Sequence, residues 1–477
     1  MSREEVLAAC KEPLAWEKEP TRHRDDVNAP DGREHDGLLH SHRCGISRQA
    51  LAGPVRGEVP AQQRETRRHP QRAVHMSTQQ AVSSRSTTLV LVTLFFGVFV
   101  MGCAELLVVG VLDLIAADLR VSVSAAGALV TAFALGIAIG GPLLTMLTVK
   151  MNRRTVLIVA LVVFVLANLV LVTGSDYVVF LVVRFIAGAV EGLFIGVAFV
   201  TGMSIVPPER VGRAIAIIIS GVTVSAAVGV PLGTLASQGF GWRGSFTGII
   251  VLCVVALIAT LLVVPSVAGT GRGGGGQAKY AFAPRVLGML TVNIAVFASL
   301  YTALTYIVPF LQNVTGVTGA VVSAFLFAYG LATAVGSFGG GRFADKNATG
   351  TLIVGTIGTA IALLALYFVG STPALVAVVM LAWGVLAMSM TPALQLRVVT
   401  LAGPGGALAS SLPASAVNVG IAVGSAAGGV AISDFGPSAP VLTAAIIAGI
   451  AIVLAWATSY LKPPVIAEPA EPAARPS

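Results

Sequence analysis

From Thr87 onward the chain alternates between apolar stretches of about 20 residues and short polar connections. At 1.5 Å per residue, a helix of that length crosses a hydrocarbon layer about 30 Å thick. Twelve stretches qualify: 87–111, 124–147, 155–174, 177–203, 211–236 and 243–264, then 285–311, 319–340, 351–370, 373–396, 407–432 and 438–461. Between the sixth and seventh lies PSVAGTGRGGGGQAKYAFAP, a Gly-rich stretch that reads as a flexible linker. No strand precedes its tetraglycine and no Lys-Ser/Thr follows, which argues against a phosphate-cradling loop. The pattern predicts an all-α membrane protein of twelve transmembrane helices in two pseudo-symmetric six-helix halves. The halves are residues 76–264 and 285–461, joined by a cytoplasmic linker at 265–284 and followed by a disordered tail at 462–477.

The halves also repeat in detail. GVTVSAAVG (221–229) and GIAVGSAAG (420–428), 199 residues apart, share Gly, Val, Ala and Gly at the same offsets. KMNRR after the second stretch corresponds to ADKNATG after the eighth. Parallel six-span repeats characterise transporters that rock around a central site.

Composition agrees: 55% of residues are hydrophobic and 11% charged, with mean hydropathy +0.87, against about 25% charged in soluble domains. The net charge of +8 is explained by topology rather than by nucleic acid. With the N-terminus inside, the cytoplasmic connections collect Arg85, Lys150, Arg153, Arg154, Arg210, Arg213, Arg272, Lys279, Arg285, Arg342, Lys346, Arg397 and Lys462, while the outer ones hold Arg120 and Arg243. That is the positive-inside bias of a multi-pass protein of the cell membrane with both termini cytoplasmic.

Residues 1–75 differ from the rest. They hold 13 of the 30 Lys+Arg, 12 of the 22 Asp+Glu and all six histidines, with no apolar run able to span or form a core and no signal-peptide pattern. This extension is expected to be disordered. Met76 reads as an alternative start, and a regulatory cytosolic tail is the other reading. Cys10 and Cys44 show no paired ligand spacing, so no metal or cofactor is expected. Cys103 and Cys253 lie in apolar spans and read as small core residues rather than as a disulfide.

From Thr87 to Leu461 the chain resembles the major facilitator superfamily, and within it the twelve-span drug:proton antiporters that include arabinose-efflux-like permeases and chloramphenicol exporters. AELLVVGVLDLIAADLRVS is similar to that group's first span and outer loop, and GGPLLTMLTVKMNRRTVL to its loop after span 2. RFIAGAVEGLFIGVA is similar to its span 4, GVPLGTLASQGFGWRGSF to its antiporter signature, and GGGRFADK to the loop repeated after span 8. Thr145 and Val149 depart from the usual Gly and acidic residue of the first loop copy, whereas the second copy keeps Gly341 and Asp345. Asp113 stands where the group usually has Pro, and Glu191 where it has His or Gln.

After Met76 the chain has no histidine, so titratable chemistry inside the membrane falls to carboxylates. Glu105 lies about 27 Å along span 1, and Arg184 about 12 Å into span 4 from the opposite end. These depths let a long side chain bridge the two. In the fold the resemblance implies, spans 1 and 4 line the cavity of the first half. The pair reads either as a cavity ion pair that responds to protonation or as a static pair that fixes helix packing. Glu191, two turns beyond Arg184 on the same face, is a second candidate proton carrier. Its alternative is a protonated carboxyl bonded to a neighbouring helix. Asp113, near the surface, reads as solvated.

Gly221, Gly229, Pro231 and Gly233 let span 5 bend and take a close neighbour, and in the resemblance this motif marks exporters. Lys150, Arg153, Arg154, Asp345 and Lys346 read as loop latches between span ends or as topogenic charges. Asn293, Tyr301, Tyr306 and Pro309 in span 7, Trp383 and Gln395 in span 10, and Asn418 in span 11 put polar or aromatic tips on apolar helices, as pockets for apolar ligands require. From these come the expected partners: a small-molecule substrate, protons and the lipid bilayer, with no nucleic acid and a functional monomer.

The expected function is proton-coupled export of small, largely apolar drugs or toxic compounds by alternating access, driven by the proton gradient because no nucleotide-binding motif is present. Export of a sugar or small metabolite by the same machinery is the alternative. A membrane-embedded enzyme is disfavoured by the lack of H-E-x-x-H, a catalytic aspartate pair or an intramembrane histidine. A non-transporting sensor stays open.

Overall fold

The structure, a computed structural model, describes residues 84–207, 210–267, 278–410 and 412–464. The expectations for residues 1–75, for Met76, for the tetraglycine and for most of the tail fall outside the described residues.

Ten helical segments are long and apolar enough to cross a membrane: Thr87–Gly110, Val123–Thr148, Arg153–Thr173, Tyr177–Ser204, Val211–Val263, Pro284–Asn313, Ala320–Val369, Pro373–Gly405, Leu412–Phe435 and Ala439–Ser459. Two of them, with 53 and 50 residues, are too long for one crossing. Each turns back at one non-helical residue, Gly241 (φ 68°, ψ 169°) and Asn347 (φ −155°, ψ 86°). They are therefore spans 5 and 6 (211–240, 242–263) and spans 8 and 9 (320–346, 348–369), which makes twelve crossings among the described residues. No strand occurs among the described residues.

The crossings start where the sequence supplies caps. Ser122, Asn152 and Asp176 accept from the N–H of Ala125 (3.1 Å), Arg154 (3.0 Å) and Val179 (2.8 Å) at the heads of spans 2, 3 and 4. These satisfy donors that a helix start leaves unpaired. Asn347 both breaks the chain and caps span 9, accepting from Gly350 N–H at 2.8 Å.

Glycine seams tie each half together, and they repeat. A methyl at Gly221 of span 5 would lie 2.7 Å from the Phe95 carbonyl oxygen and 2.8 Å from the Phe99 nitrogen of span 1. A methyl at Gly420 of span 11 would lie 2.6 Å from the Ile294 oxygen and 3.1 Å from the Ala298 nitrogen of span 7. The 199-residue offset that relates the two glycines also relates both of their contacts. Seams of this kind are how helices associate where lipid removes the hydrophobic drive.

The two halves meet near the face formed by the loops after odd-numbered spans, the predicted outer face. Tyr306 packs against Gly127, Gly429 lies against Ser124, and the Thr131 hydroxyl donates to Ala422 O at 3.4 Å. Gln238 donates to Ser323 Oγ at 3.4 Å. At mid-depth Gly330 abuts Ala226 and Ala227 of span 5.

Candidate functional site

Arg184 is 1% exposed and deep in the first half. Its guanidinium donates to three backbone carbonyls: Nε to Leu129 O (3.4 Å), and its two terminal nitrogens to Ala104 O (3.1 Å) and Glu105 O (3.2 Å). It also lies 3.9 Å over the centre of the Phe133 ring. A planar fork suits this work, since it reaches spans 1 and 2 at once from span 4.

This corrects the expected ion pair. Arg184 meets Glu105 through the peptide carbonyl, and the Glu105 carboxylate is not within 4.0 Å of the guanidinium. The physical reason is that a carbonyl already fixed by its helix is a ready acceptor, so the half-buried carboxylate stays within electrostatic reach of the guanidinium without bonding it. The consequence is useful. The bonds that hold Arg184 do not depend on the charge of Glu105, so that carboxyl can gain or lose a proton without unlocking spans 1, 2 and 4.

Glu191 is fully buried, and both of its carboxylate oxygens lack a hydrogen-bond partner. Glu105, Arg184 and Glu191 lie within electrostatic reach of one another. Cys103 and Cys253, both buried and unbonded to each other, neighbour Glu191. No group of His, Cys, Asp or Glu able to hold a metal occurs among the described residues.

Tyr301 is half-buried and within electrostatic reach of both Glu105 and Tyr329, so it joins the first half's carboxylate to the second half's aromatic wall. Trp383 is fully buried and packs on Tyr329, ring centres 4.8 Å apart and tilted 45°. Trp383 Nε1, Tyr329 OH, Asn293 Oδ1 and Asn418 Oδ1 are all buried without a partner, although Asn418 donates to Ala414 O at 3.0 Å. Tyr329 was missed in the sequence because one tyrosine in an apolar span carries no signal. Tyr306 is placed differently from the expectation of a cavity side chain. It donates to Ser425 O at 3.0 Å within the seam between halves, which its contact with Gly127 closes. Gln395 is spent on Ser410 O at 2.8 Å, and Pro309 is buried in the short helix Ile307–Asn313 that ends span 7.

Asp113 also differs from its expectation of full solvation. It is half-buried, with Oδ2 buried and unpartnered, because the chain kinks at Val111 and the short helix Leu112–Leu119 packs against neighbouring helices of both halves. Gly229 lies against Cys103 and Gly233 against Leu107, so the span 5 glycines form a packing seam with span 1, and Pro231 follows a widened turn at Ser225–Gly229. Of the loop cations, Arg153 donates to Val200 O (3.2 Å) and Arg154 to Leu261 O, tying span 3 to spans 4 and 6 within one half. Lys150, Asp345 and Lys346 are exposed. On the predicted outer face, Arg243 bonds Asp118, Val172 O (3.1 Å) and Gly174 O (2.8 Å), a knot of three connections that the sequence did not reveal.

The family model described as Major Facilitator Superfamily matches residues 94–412. The inner membrane transport protein YdhP of Escherichia coli K12 is 32% identical over 381 residues, covering 79% of this chain and 97% of that one. A chloramphenicol resistance protein of Streptomyces lividans is 29% identical over 329 residues, covering 68% and 84%. A bacterial homologue of the human lysosomal transporter Spinster, solved inward-facing and unoccupied, superposes with TM-score 0.66 at 17% identity over 79% of this chain and 98% of its own.

Proposed function

The chain belongs to the major facilitator superfamily, it is a multi-pass membrane transporter, and from that premise we propose that it exports small, largely apolar compounds in exchange for protons. The observation that carries this reading is the pair of carboxyls, Glu105 and Glu191, inside the membrane beside an arginine that backbone carbonyls already satisfy. Intramembrane ionisable groups are costly and mark ion pathways. Here the arginine is occupied, so the carboxyls are the groups left to exchange protons.

In this mechanism Glu105 carries the proton, Glu191 is the second carrier, and Arg184 positions span 1 and supplies a fixed positive charge. With the seam closed at the predicted outer face, substrate enters from the inner side against the wall of Tyr301, Tyr329 and Trp383. Protonation of Glu105 from outside then favours release and return. Coupling arises because proton and substrate bind the two states with different affinities. The likeness to a chloramphenicol resistance protein supports export of a drug-like compound.

The test is a growth screen of an efflux-deficient bacterial host against a drug panel that includes chloramphenicol. It is followed by uptake of the selected drug into inside-out vesicles with an imposed pH gradient. Uptake that survives collapse of the gradient rules out proton coupling, and uptake lost in Glu105→Gln at equal expression supports it.

A further inference from the structure

The end of span 1 carries a carboxyl that this mechanism does not use. The helix closes at Gly110, Val111 leaves helical geometry (φ −125°, ψ 19°), and Asp113 sits in the first turn of Leu112–Leu119. That short helix packs on spans 1 and 2 and on the Val230–Val263 stretch of spans 5 and 6 in its own half, whose span 5 part has no charged residue, and on Ile307–Asn313 of the other half. It is thus part of the seam that Tyr306 closes. Within it Asp113 is half-buried, and its Oδ2 has neither water-accessible surface nor a hydrogen-bond partner. One turn earlier Gly110 abuts Thr234, whose hydroxyl is also buried and unpartnered.

The charged groups around it are few. Span 1 offers Glu105, eight residues away and of like charge. The first part of span 2, Val123–Leu135, and the helix Ile307–Asn313 have none. Arg243 of span 6 is committed to Asp118, the other acid of the short helix. Arg120 caps the far end of the short helix, seven residues on, and is exposed; no cation on the packed elements is left to compensate a charge on Asp113, and burial pushes its carboxyl up to about 6.

We propose that Asp113 is a further proton-binding site, separate from Glu105 and Glu191, and that its occupancy decides whether the predicted outer seam between the halves can close. The proposal rests on the reading that the two halves alternate between closed and open seams. In the closed seam the neutral carboxylic acid is tolerated and the carboxylate is not. With the seam open, Asp113 is hydrated and titrates near the ordinary value of about 3.9. The sign follows. The closed state holds the proton more tightly, so its advantage is complete below about pH 4 and is lost as pH rises through about 6. The difference between the two values corresponds to a change on the order of 100-fold in the closed-to-open ratio. Closing the outer mouth therefore takes up a proton from outside, which makes the return step proton-dependent at a point remote from Glu105.

The experiment measures the seam without any substrate. Spin labels are placed at Ser175 and Ser371, exposed residues in the loops after spans 3 and 9, in the full chain with Cys10 and Cys44 replaced by Ser, in lipid nanodiscs. Pulsed electron resonance then records their distance distribution from pH 4 to 8. In the unaltered site the short distance dominates at pH 4, and its ratio to the long distance falls at least tenfold by pH 7. Asp113→Asn and Asp113→Ala, each made in the Glu105→Gln background so that the other carboxyl is silent, remove that dependence, Asn keeping the short distance throughout, while Glu105→Gln alone retains it. A pH dependence that persists unchanged in either Asp113 variant overturns the proposal, and so does a single short distance at every pH in the unaltered site. The export reading is judged separately, by vesicle uptake with Glu105→Gln.

Discussion

Adding a single methyl at Gly221 tests the claim that the span 5 glycines are a seam. The added carbon would sit 2.7 Å from Phe95 O and 2.8 Å from Phe99 N, both backbone atoms of span 1. A relaxed contact needs roughly half an ångström more, and no side chain is there to yield. Spans 1 and 5 must separate, with loss of packing over the length of the seam. Overpacking of this kind costs about 1–3 kcal/mol. Against it stands the gain from Gly to Ala in a helix, about 0.5–1 kcal/mol. Gly449 of span 12 has nothing within 4 Å of its added methyl and isolates that gain. Gly233 is intermediate, since its methyl meets Leu107 Cδ1 at 2.7 Å, the mobile end of a side chain. Thermal melting of the detergent-solubilised protein should therefore rank Gly449→Ala above wild type, Gly233→Ala near or slightly below it, and Gly221→Ala lowest, with about 1–3 kcal/mol between the extremes, because the helix gain is common to both. If Gly221→Ala melts with Gly449→Ala, spans 1 and 5 are not in contact as described, and the reasoning fails.

Glu105→Gln is expected to change melting by less than about 1 kcal/mol, since its carboxylate makes no bond in this state, while abolishing gradient-driven uptake; a large loss of stability would show that the carboxylate is structural. Arg184→Lys keeps the charge but loses most of the three-carbonyl fork, at a cost of about 3 kcal/mol read by melting; a neutral result would mean that the fork carries no load. Arg243→Leu removes the bonds to Asp118, Val172 and Gly174 from a partly exposed site, for about 1–2 kcal/mol and a rise in proteolysis at the loops after spans 1 and 3. Tyr329→Phe removes an unpartnered hydroxyl, so it should melt no lower than wild type yet raise the KM for an exported drug about fivefold; unchanged KM would leave Tyr329 a packing residue.

The crossings were legible because an apolar stretch of membrane length has one outcome in lipid: every backbone group must bond within its own helix. The repeat was legible for a related reason. Gly221 and Gly420 both face a backbone that leaves room for hydrogen alone, so both positions keep the residue and its offset. Proximity of Glu105 and Arg184 followed from depth along two helices. What they do to each other did not, because sequence records side chains and Arg184 chose carbonyls, which every residue owns. The burial of Asp113 was invisible for another reason. It depends on a kink at Val111 that sets the next eight residues against neighbouring helices, and nothing in LLVVGVLDLIAADL announces that kink. Tyr306 was misplaced because its depth fits a cavity as well as a seam, and only the opposite half, through Gly127, decides between them.

The distribution of charge across the pseudo-symmetry has a consequence for how the two halves divide the work. Spans 2 and 4 enclose Arg184 over Phe133, with Glu191 two turns on. Their counterparts, spans 8 and 10, enclose Tyr329 against Trp383 at a similar depth, and the ionisable groups of those two spans, Arg342, Asp345, Lys346 and Arg397, all lie toward the predicted inner ends. When the halves rock, a wall that can change its charge moves past one that cannot. A proton can bias that equilibrium only through the first half, because a ligand shifts a conformational balance only by its differential affinity for the two states. The second half, whose buried unpartnered polar atoms include Trp383 Nε1, Tyr329 OH, Asn293 Oδ1 and Asn418 Oδ1, is the wall able to discriminate among substrates by hydrogen bonding. Substitutions there should alter which compounds are exported while leaving the number of protons moved per compound unchanged. A second-half variant that still bound substrate but moved no protons would contradict this division and place part of the coupling in Tyr301, the residue within electrostatic reach of both walls.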